Sequence, residues 1–135
     1  MSTLFNHVGL QVRDIDKSLS FYCDMLDFKL CYRKKMDTSN LTEVFFLRKE
    51  NFELELLVAE CDVWLERPKG RFRGVPHIAF FVDDIEKEIE RFEQAGFVCT
   101  VPLFFPDIDV PGEEKYKRAV YFSGPDGEAI EFRGP

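Results

Sequence analysis

The sequence predicts an α+β protein made of two tandem βαβββ modules. The first observation is a repeat, because residues 6–17 (NHVGLQVRDIDK) return seventy positions later as residues 76–87 (PHIAFFVDDIEK). The second is that each copy passes from an alternating strand pattern into a helical one. The third is that each half ends in two runs of alternating apolar and polar residues, which are joined by a short polar turn. We therefore expect the same order of elements twice in one chain.

Length and charge limit the class of protein. The 135 residues suit a single domain, residues 1–135, with repeat halves 4–60 and 75–135 and a linker 61–74. The net charge of −7 argues against nucleic acid or an anionic membrane as a partner. Because the sequence has neither a transmembrane-length apolar run nor a signal-peptide pattern, we expect a cytoplasmic protein.

The four cysteines do not form a metal-binding or redox motif. Cys23, Cys31, Cys61 and Cys99 are widely spaced, without the close pairs that zinc ribbons need. We expect reduced side chains packed as small hydrophobic residues, with thiol catalysis the minor alternative.

The first strand is predicted over residues 4–12. Val8, Leu10 and Val12 alternate onto one face, and His7 and Gln11 lie on the other. Because the following helix should cover the apolar face, His7 and Gln11 are expected on the uncovered side of the sheet.

The first helix is predicted to begin after Asp14, a good N-cap residue. Its apolar stripe consists of Ile15, Leu19, Tyr22 and Leu26 at helical spacing. This stripe is expected to pack on the apolar face of the first strand.

Three further strands complete the first half, at residues 28–32, 43–48 and 52–58, with a polar loop over 33–40. In the last of these strands, Leu54 and Leu56 share one face and Glu55 lies on the other. Glu55 should therefore lie on the same side as His7.

The linker 61–74 contains Pro, Gly and four basic residues, including Arg71 and Arg73. A solvated loop is the simplest interpretation. Cations at this density on an acidic chain would also suit a carboxylate or phosphate group.

The second half repeats the plan with a longer connection. Predicted strands cover 77–81, 97–101, 117–122 and 128–132, and a helix runs from Asp84 to a stop at Ala95-Gly96. A Pro-rich connection over 102–114 carries Phe104 and Phe105. The last hairpin turns at residues 124–127.

The two hairpins align at an offset of 76. Glu55 then matches Glu131, Val44 matches Val120 and Phe46 matches Phe122. Each half therefore supplies a histidine from its first strand and a glutamate from its last.

Four matched residues indicate a metal site. If the two sheets curl around a shared cavity, His7, Glu55, His77 and Glu131 converge. Two imidazoles and two carboxylates suit a divalent Zn, Ni, Co, Mn or Fe ion better than Ca or Cu(I).

The sequence also resembles the vicinal oxygen chelate superfamily, which includes glyoxalase I, methylmalonyl-CoA epimerase, extradiol dioxygenases and bleomycin- or fosfomycin-resistance proteins. The resemblance covers nearly the whole chain. It is carried by residues 6–10 (NHVGL), 21–22 with 26–28, 76–84 (PHIAFFVDD) and 124–132 (GPDGEAIEF).

The resemblance implies curved mixed sheets around a cavity, with a metal held by His7, Glu55, His77 and Glu131. An acidic ligand in both halves resembles glyoxalase I. In such lyases the metal binds a thiol hemithioacetal of a small 2-oxoaldehyde and stabilises an enediolate. One glutamate moves the proton between neighbouring carbons. We assign Glu131 as that base and Glu55 as its counterpart across the metal.

The substrate is less closely defined. Glutathione-using relatives tend to carry an arginine where Gln11 stands, so another thiol is possible, with contacts from Gln11, Arg71, Arg73 or Phe104. Epimerase, ring-cleaving dioxygenase and non-catalytic drug-binding functions are the alternatives. The resemblance also implies a homodimer acting on a small molecule, with the site inside one chain or across two.

Overall fold

The computed structural model describes residues 4–36, 41–59 and 77–135. The chain divides into two compact units, Met1–Lys69 and Gly70–Pro135. Within the described ranges, no helix combines the length and apolar character that crossing a membrane requires.

The first unit has the predicted βαβββ order. Its elements are β1 (Val8–Val12), α1 (Ile15–Leu19) with a following π-helical turn (Ser20–Met25), β2 (Lys29–Lys35), β3 (Leu41–Lys49) and β4 (Phe52–Ala59). The sheet order is β1-β4-β3-β2. The β1 strand is parallel to β4, and the other pairs are antiparallel.

The second unit repeats this topology. Its elements are β5 (His77–Phe81), α2 (Ile85–Gln94), β6 (Cys99–Phe104), β7 (Arg118–Ser123) and β8 (Ala129–Gly134). The sheet order is β5-β8-β7-β6, with the parallel pair again formed by the first and last strands. The predicted α+β class and repeated βαβββ order are confirmed.

Both helices begin at the aspartates identified as caps. The Oδ1 atom of Asp14 accepts hydrogen bonds from the backbone N–H groups of Asp16 and Lys17, at 3.1 and 3.2 Å. Asp84 accepts from the N–H of Lys87 at 3.1 Å. These bonds satisfy N–H groups that the first helical turn leaves without partners.

The first helix differs from the prediction in its second half. Residues Ser20–Met25 form a π-helical turn, which buries Phe21 beside Tyr22. Leu26 is buried as expected, but Ile15 and Leu19 are only half-buried. Tyr22 and Leu26 are therefore buried as the predicted stripe requires, although a π turn replaces regular α-helix at this point.

The core of each unit lies on the helix-covered face of its sheet. In the first unit the buried strand residues on this face are Val12, Phe45, Leu47, Leu54 and Leu56. In the second unit they are Val120, Phe122, Ile130 and Phe132. The α2 residue Phe92 contacts Phe132 and Phe122, with ring centroids 4.9 and 5.3 Å apart.

Two strands, β2 and β6, extend three residues beyond their predicted ends. The β2 strand continues to Lys35, into the expected loop, and Arg33 Nη2 contacts Glu43 Oε1 of β3 at 2.8 Å. The β6 strand continues to Phe104, so this residue does not lie in a connection. Polar side chains and prolines concealed both extensions, since an exposed edge strand tolerates both. Residues 37–40 and the predicted linker 61–74 lie outside the described residues.

The predicted alignment of the two hairpins was wrong by one residue on one strand. Phe46 pairs with Glu55, whereas Tyr121 pairs with Glu131. The true equivalents on this face are therefore Phe46 and Tyr121, and Phe122 belongs to the core. The turn between β7 and β8 is one residue longer than the turn between β3 and β4. The offset between equivalent residues is therefore 75 before the turn, on β7, and 76 after it, on β8.

Candidate metal centre

The first unit brings His7 and Glu55 into contact. Parallel pairing places Gly9 beside Glu55, so His7, two residues earlier on the same face, lies diagonally from the carboxylate. The distance from His7 Nε2 to Glu55 Oε2 is 2.7 Å. The other ring nitrogen, Nδ1, is hydrogen-bonded to the side-chain oxygen of Asn6. This second bond fixes the orientation of the ring.

The second unit reproduces this arrangement with His77 and Glu131. Ala79 pairs with Glu131, and His77 lies two residues earlier. The distance from His77 Nε2 to Glu131 Oε2 is 3.0 Å. The glutamates differ in burial, because Glu131 is 6% exposed whereas Glu55 is only half-buried.

An aromatic ring packs edge-on against each histidine. Phe46 contacts His7 with centroids 5.5 Å apart, and Tyr121 contacts His77 at 5.4 Å. Both rings come from the strand that pairs with the glutamate strand. They limit the rotation of each imidazole, while both histidines stay exposed to solvent.

Tyr121 makes the two pairs chemically different. Burial, the nearby negative charge of Glu131 and a hydrogen bond to that carboxylate raise the pKa of Tyr121 to about 12. The phenol therefore keeps its proton at neutral pH and can donate to Glu131. Phe46 has no hydroxyl to offer Glu55. The sequence reasoning missed Tyr121, although the alternation of β7 in the correct register would have placed it beside Glu131.

The residues predicted to contact the substrate lie at separate places in the chain. Gln11 lies exposed on β1, on the same face as Gly9. Phe104 ends β6, and its ring is nearly parallel to that of Tyr121, at 18° with 6.2 Å between centroids. Phe104 is therefore close to the second histidine–glutamate pair. Arg71 and Arg73 lie outside the described residues.

The His–Glu pairs fit the ligand chemistry of a divalent transition metal. Each pair offers an imidazole nitrogen and a carboxylate oxygen, the donor atoms that zinc and related divalent ions bind. Neither unit gathers three or more His, Cys, Asp or Glu side chains suited to a metal within its described residues. One unit thus offers two candidate ligands, fewer than the usual four.

The described cysteines favour a structural role. Burial raises the pKa of the Cys23 and Cys99 thiols, which keeps them protonated near neutral pH. A protonated thiol is a poor nucleophile. The prediction of a packed side chain was wrong for Cys31, which is exposed on the edge strand β2. Cys61 lies outside the described residues.

Curated relatives match over most of the chain. An uncharacterized protein of Bacillus subtilis, YwbC, is 34% identical, and the match covers 98% of both chains. A probable lactoylglutathione lyase of Synechocystis is 29% identical over 93% of this chain and 90% of its own length.

Solved structures share the fold. A glyoxalase family protein from Enterococcus faecalis superposes with a TM-score of 0.76 at 23% identity, covering 96% of both chains. The fosfomycin resistance protein FosX from Listeria monocytogenes, complexed with Mn(II) and sulfate, has a TM-score of 0.69 at 17% identity, covering 100% of this chain and 94% of that one.

The family model matches residues 4–132 and so spans both copies of the repeat. Its reach from the first strand to the last includes the histidine and the glutamate of each unit. The chain therefore belongs to the Glyoxalase/Bleomycin resistance protein/Dioxygenase superfamily.

Proposed function

We propose that this protein is a metal-dependent lyase or isomerase of the glyoxalase I type. The observation that carries the proposal is the duplicated pair, in which a histidine Nε2 lies 2.7 or 3.0 Å from a glutamate Oε2. Both pairs have an acidic member, which is the ligand pattern implied by the resemblance of the sequence to glyoxalase I. The likeness to a probable lactoylglutathione lyase gives separate support.

The proposed site joins both pairs around one ion. His7, Glu55, His77 and Glu131 would hold Zn, Ni, Co, Mn or Fe in the divalent state. When bound, such an ion supplies Lewis-acid polarisation of the substrate oxygens. Each unit alone provides two ligands, so the proposal requires the two units to act together.

The protein side chains would carry the proton transfer. Glu131 takes the proton from the thiol-bearing carbon of the hemithioacetal and returns it to the neighbouring carbonyl-derived carbon. The product is a thioester of a 2-hydroxy acid, with no net gain or loss of electrons. Tyr121 donates a hydrogen bond to Glu131 and so orients its carboxylate. Glu55 is the counterpart from the first unit.

We also propose a cytoplasmic homodimer that acts on a small 2-oxoaldehyde through its thiol adduct. Gln11 is uncharged and exposed on the face that carries His7. A neutral side chain there suits a thiol without a carboxylate better than it suits glutathione. Phe104 remains a proposed substrate contact because its ring lies against Tyr121.

The test is turnover by metal-reconstituted protein supplied with methylglyoxal and a panel of thiols. We expect thioester formation, and we expect Glu131→Gln to abolish it. Glu55→Gln should weaken metal binding. Glu53→Gln is the matched control, since Glu53 lies on the same strand but is bound to Arg48 at 3.0 Å.

Two results would contradict the proposal. One is a metal content that stays near zero after reconstitution with each of the five metals. The other is full metal loading with no turnover of any thiol adduct. Parallel assays with fosfomycin, with an epimerase substrate and for oxygen consumption with a catechol separate the alternative metal-dependent functions.

A further inference from the structure

The first histidine is contacted at both of its ring nitrogens. Nδ1 is hydrogen-bonded to the side-chain oxygen of Asn6, and Nε2 lies 2.7 Å from Glu55 Oε2. The ring of Phe46 packs edge-on against the imidazole of His7, with 5.5 Å between centroids. Of these neighbours, Asn6 has no part in the proposed reaction.

The contact with Asn6 matches the form of His7 that binds a metal. A neutral imidazole has one N–H group and one nitrogen with a free lone pair. With a metal ion bound through Nε2, beside Glu55, the proton resides on Nδ1. The amide oxygen of Asn6 is an acceptor at that position, so Nδ1–H donates to it.

The same side chain also serves the metal-free form. When Nε2–H donates to Glu55, the lone pair is on Nδ1, and the Asn6 amide presents an N–H group to it after a half-turn. An asparagine therefore accommodates both forms of the histidine without moving the ring. Metal binding then requires no reorientation of His7, only the turn of an exposed amide.

The second copy of the repeat lacks this amide. Position 76 matches Asn6 and holds a proline, whose side chain offers neither a donor nor an acceptor. The described contacts of His77 are the carboxylate of Glu131, at 3.0 Å, and the ring edge of Tyr121. The two histidines are therefore matched in their glutamate contacts but not in the support of the second ring nitrogen.

The two units thus support different members of their pairs. In the first unit the polar neighbour, Asn6, belongs to the histidine. In the second unit it belongs to the glutamate, because Tyr121 is hydrogen-bonded to Glu131. Glu131 is also more buried than Glu55. The first unit is better arranged to hold a metal through its histidine, and the second to position a carboxylate.

We propose that Asn6 is a positioning residue for metal binding, which keeps Nε2 of His7 directed at the ion by accepting a hydrogen bond from Nδ1–H. Acceptors of this kind typically change metal affinity by about ten- to hundredfold. Asn6 is exposed, so water can replace its oxygen as an acceptor without fixing the ring. The expected contribution is therefore at the lower end of that range, about tenfold. The inference rests on the metal site of the proposed function, but not on the reaction.

The test is the affinity of the full chain for Zn²⁺, measured by competition with a chelating dye. Asn6→Leu keeps the approximate shape of the side chain but removes its donor and its acceptor, so it should weaken Zn²⁺ binding about tenfold. Asn6→Asp keeps an acceptor of the same length and should bind Zn²⁺ at least as tightly as the unmodified chain. Asn51→Leu is the matched control, because Asn51 is exposed in the turn between β3 and β4, and it should leave the affinity unchanged.

A spectroscopic readout separates positioning from a general effect on the fold. In the Co²⁺-loaded chain, the paramagnetic ion shifts the Nδ1–H proton of a coordinated histidine far outside the usual proton spectrum. This proton of His7 should give a resolved resonance, because the hydrogen bond to Asn6 slows its exchange with water. The resonance should be absent in His7→Ala, which assigns it, and broadened into the baseline in Asn6→Leu. It should return in Asn6→Asp.

Three results would overturn the proposal. The first is a Zn²⁺ affinity of Asn6→Leu equal to that of the unmodified chain. The second is an equally large loss of affinity in Asn6→Asp or in Asn51→Leu, since neither substitution removes the acceptor beside His7. The third is a His7 Nδ1–H resonance that persists without broadening in Asn6→Leu.

These measurements separate the inference from the proposed function because none of them requires turnover. Turnover of methylglyoxal adducts, together with an unchanged Zn²⁺ affinity in Asn6→Leu, would leave the function standing and remove the role of Asn6. The expected loss of affinity, in a chain that turns over no thiol adduct, would do the reverse.

Discussion

At the residue scale, a single hydroxyl group distinguishes the two histidine–glutamate pairs. Tyr121 donates to Glu131, whereas Phe46 presents only a ring edge to the first pair. A carboxylate that contacts both an imidazole and a phenol has a more restricted orientation than one that contacts the imidazole alone. This difference supports the assignment of Glu131 as the base, because proton transfer depends on a well-placed carboxylate.

Replacing Tyr121 by phenylalanine should therefore reduce catalysis without removing the metal. We expect kcat of Tyr121→Phe to fall about ten- to hundredfold, with metal content and KM close to the wild-type values. Phe46→Tyr is the reciprocal control and should change kcat little. An unchanged kcat in Tyr121→Phe would show that the hydroxyl does not position Glu131. Steady-state kinetics and elemental analysis of each variant make the comparison.

A second residue-scale prediction concerns Asp27, which follows the first helix. Its φ is +60°, and the equivalent position after the second helix is Gly96, with φ +87°. Aspartate pays a steric cost in this left-handed conformation that glycine avoids. Asp27→Gly should raise the free energy of unfolding by about 0.5–1 kcal/mol, as measured by urea denaturation. The reverse change, Gly96→Asp, should lower it, and a loss of stability in Asp27→Gly would contradict this account.

At the scale of single helices and strands, the sequence correctly predicted the features that depend on residues close together in the chain. The caps at Asp14 and Asp84 and the strand containing His77 follow from short-range chemistry and were correct. The π-helical turn at Ser20–Met25 was missed, because its extra residue per turn depends on packing Phe21 and Tyr22 into the core together. The register of β7 was also missed, since it depends on the length of a turn.

That turn, residues 124–127, provides an element-scale prediction. A methyl group on Gly124 would overlap Glu128 Oε1, and this buried carboxylate accepts a hydrogen bond from the Asp126 N–H at 2.9 Å. Gly124→Ala should therefore force the carboxylate out of place and cost about 1–3 kcal/mol. Glu128→Ala alone should also lower the free energy of unfolding, because it removes the hydrogen bond from the Asp126 N–H. In the double variant, the Gly124→Ala cost should nearly vanish, as measured by a thermodynamic cycle in urea.

At the scale of the whole molecule, the duplication allowed the two histidine–glutamate contacts to be predicted. A single histidine in a strand is weak evidence for a functional site. His7 and His77, however, recur together with Glu55 and Glu131, and in each unit the histidine contacts the glutamate. The groove formed by the β6–β7 connection and Arg133 could not be predicted in this way, because residues 108–117 have no counterpart of similar length in the first half. Its wall depends on the contacts of Arg133 with Glu113 and Tyr116, which no repeat encodes.

The duplication also predicts the metal stoichiometry. If two ligands from each unit bind one ion, the protein should contain one equivalent of metal per chain, and His7→Ala and His77→Ala should each remove most of it. Elemental analysis after reconstitution and dialysis measures this directly. Gln11→Ala, on the same face of β1 but outside the ligand set, should keep its full equivalent. Two equivalents per chain, with each histidine variant losing only one, would instead mean that the two His–Glu pairs bind metal independently. The repeat would then have preserved two separate sites, and a single shared catalytic centre would no longer explain why both units keep the same pair.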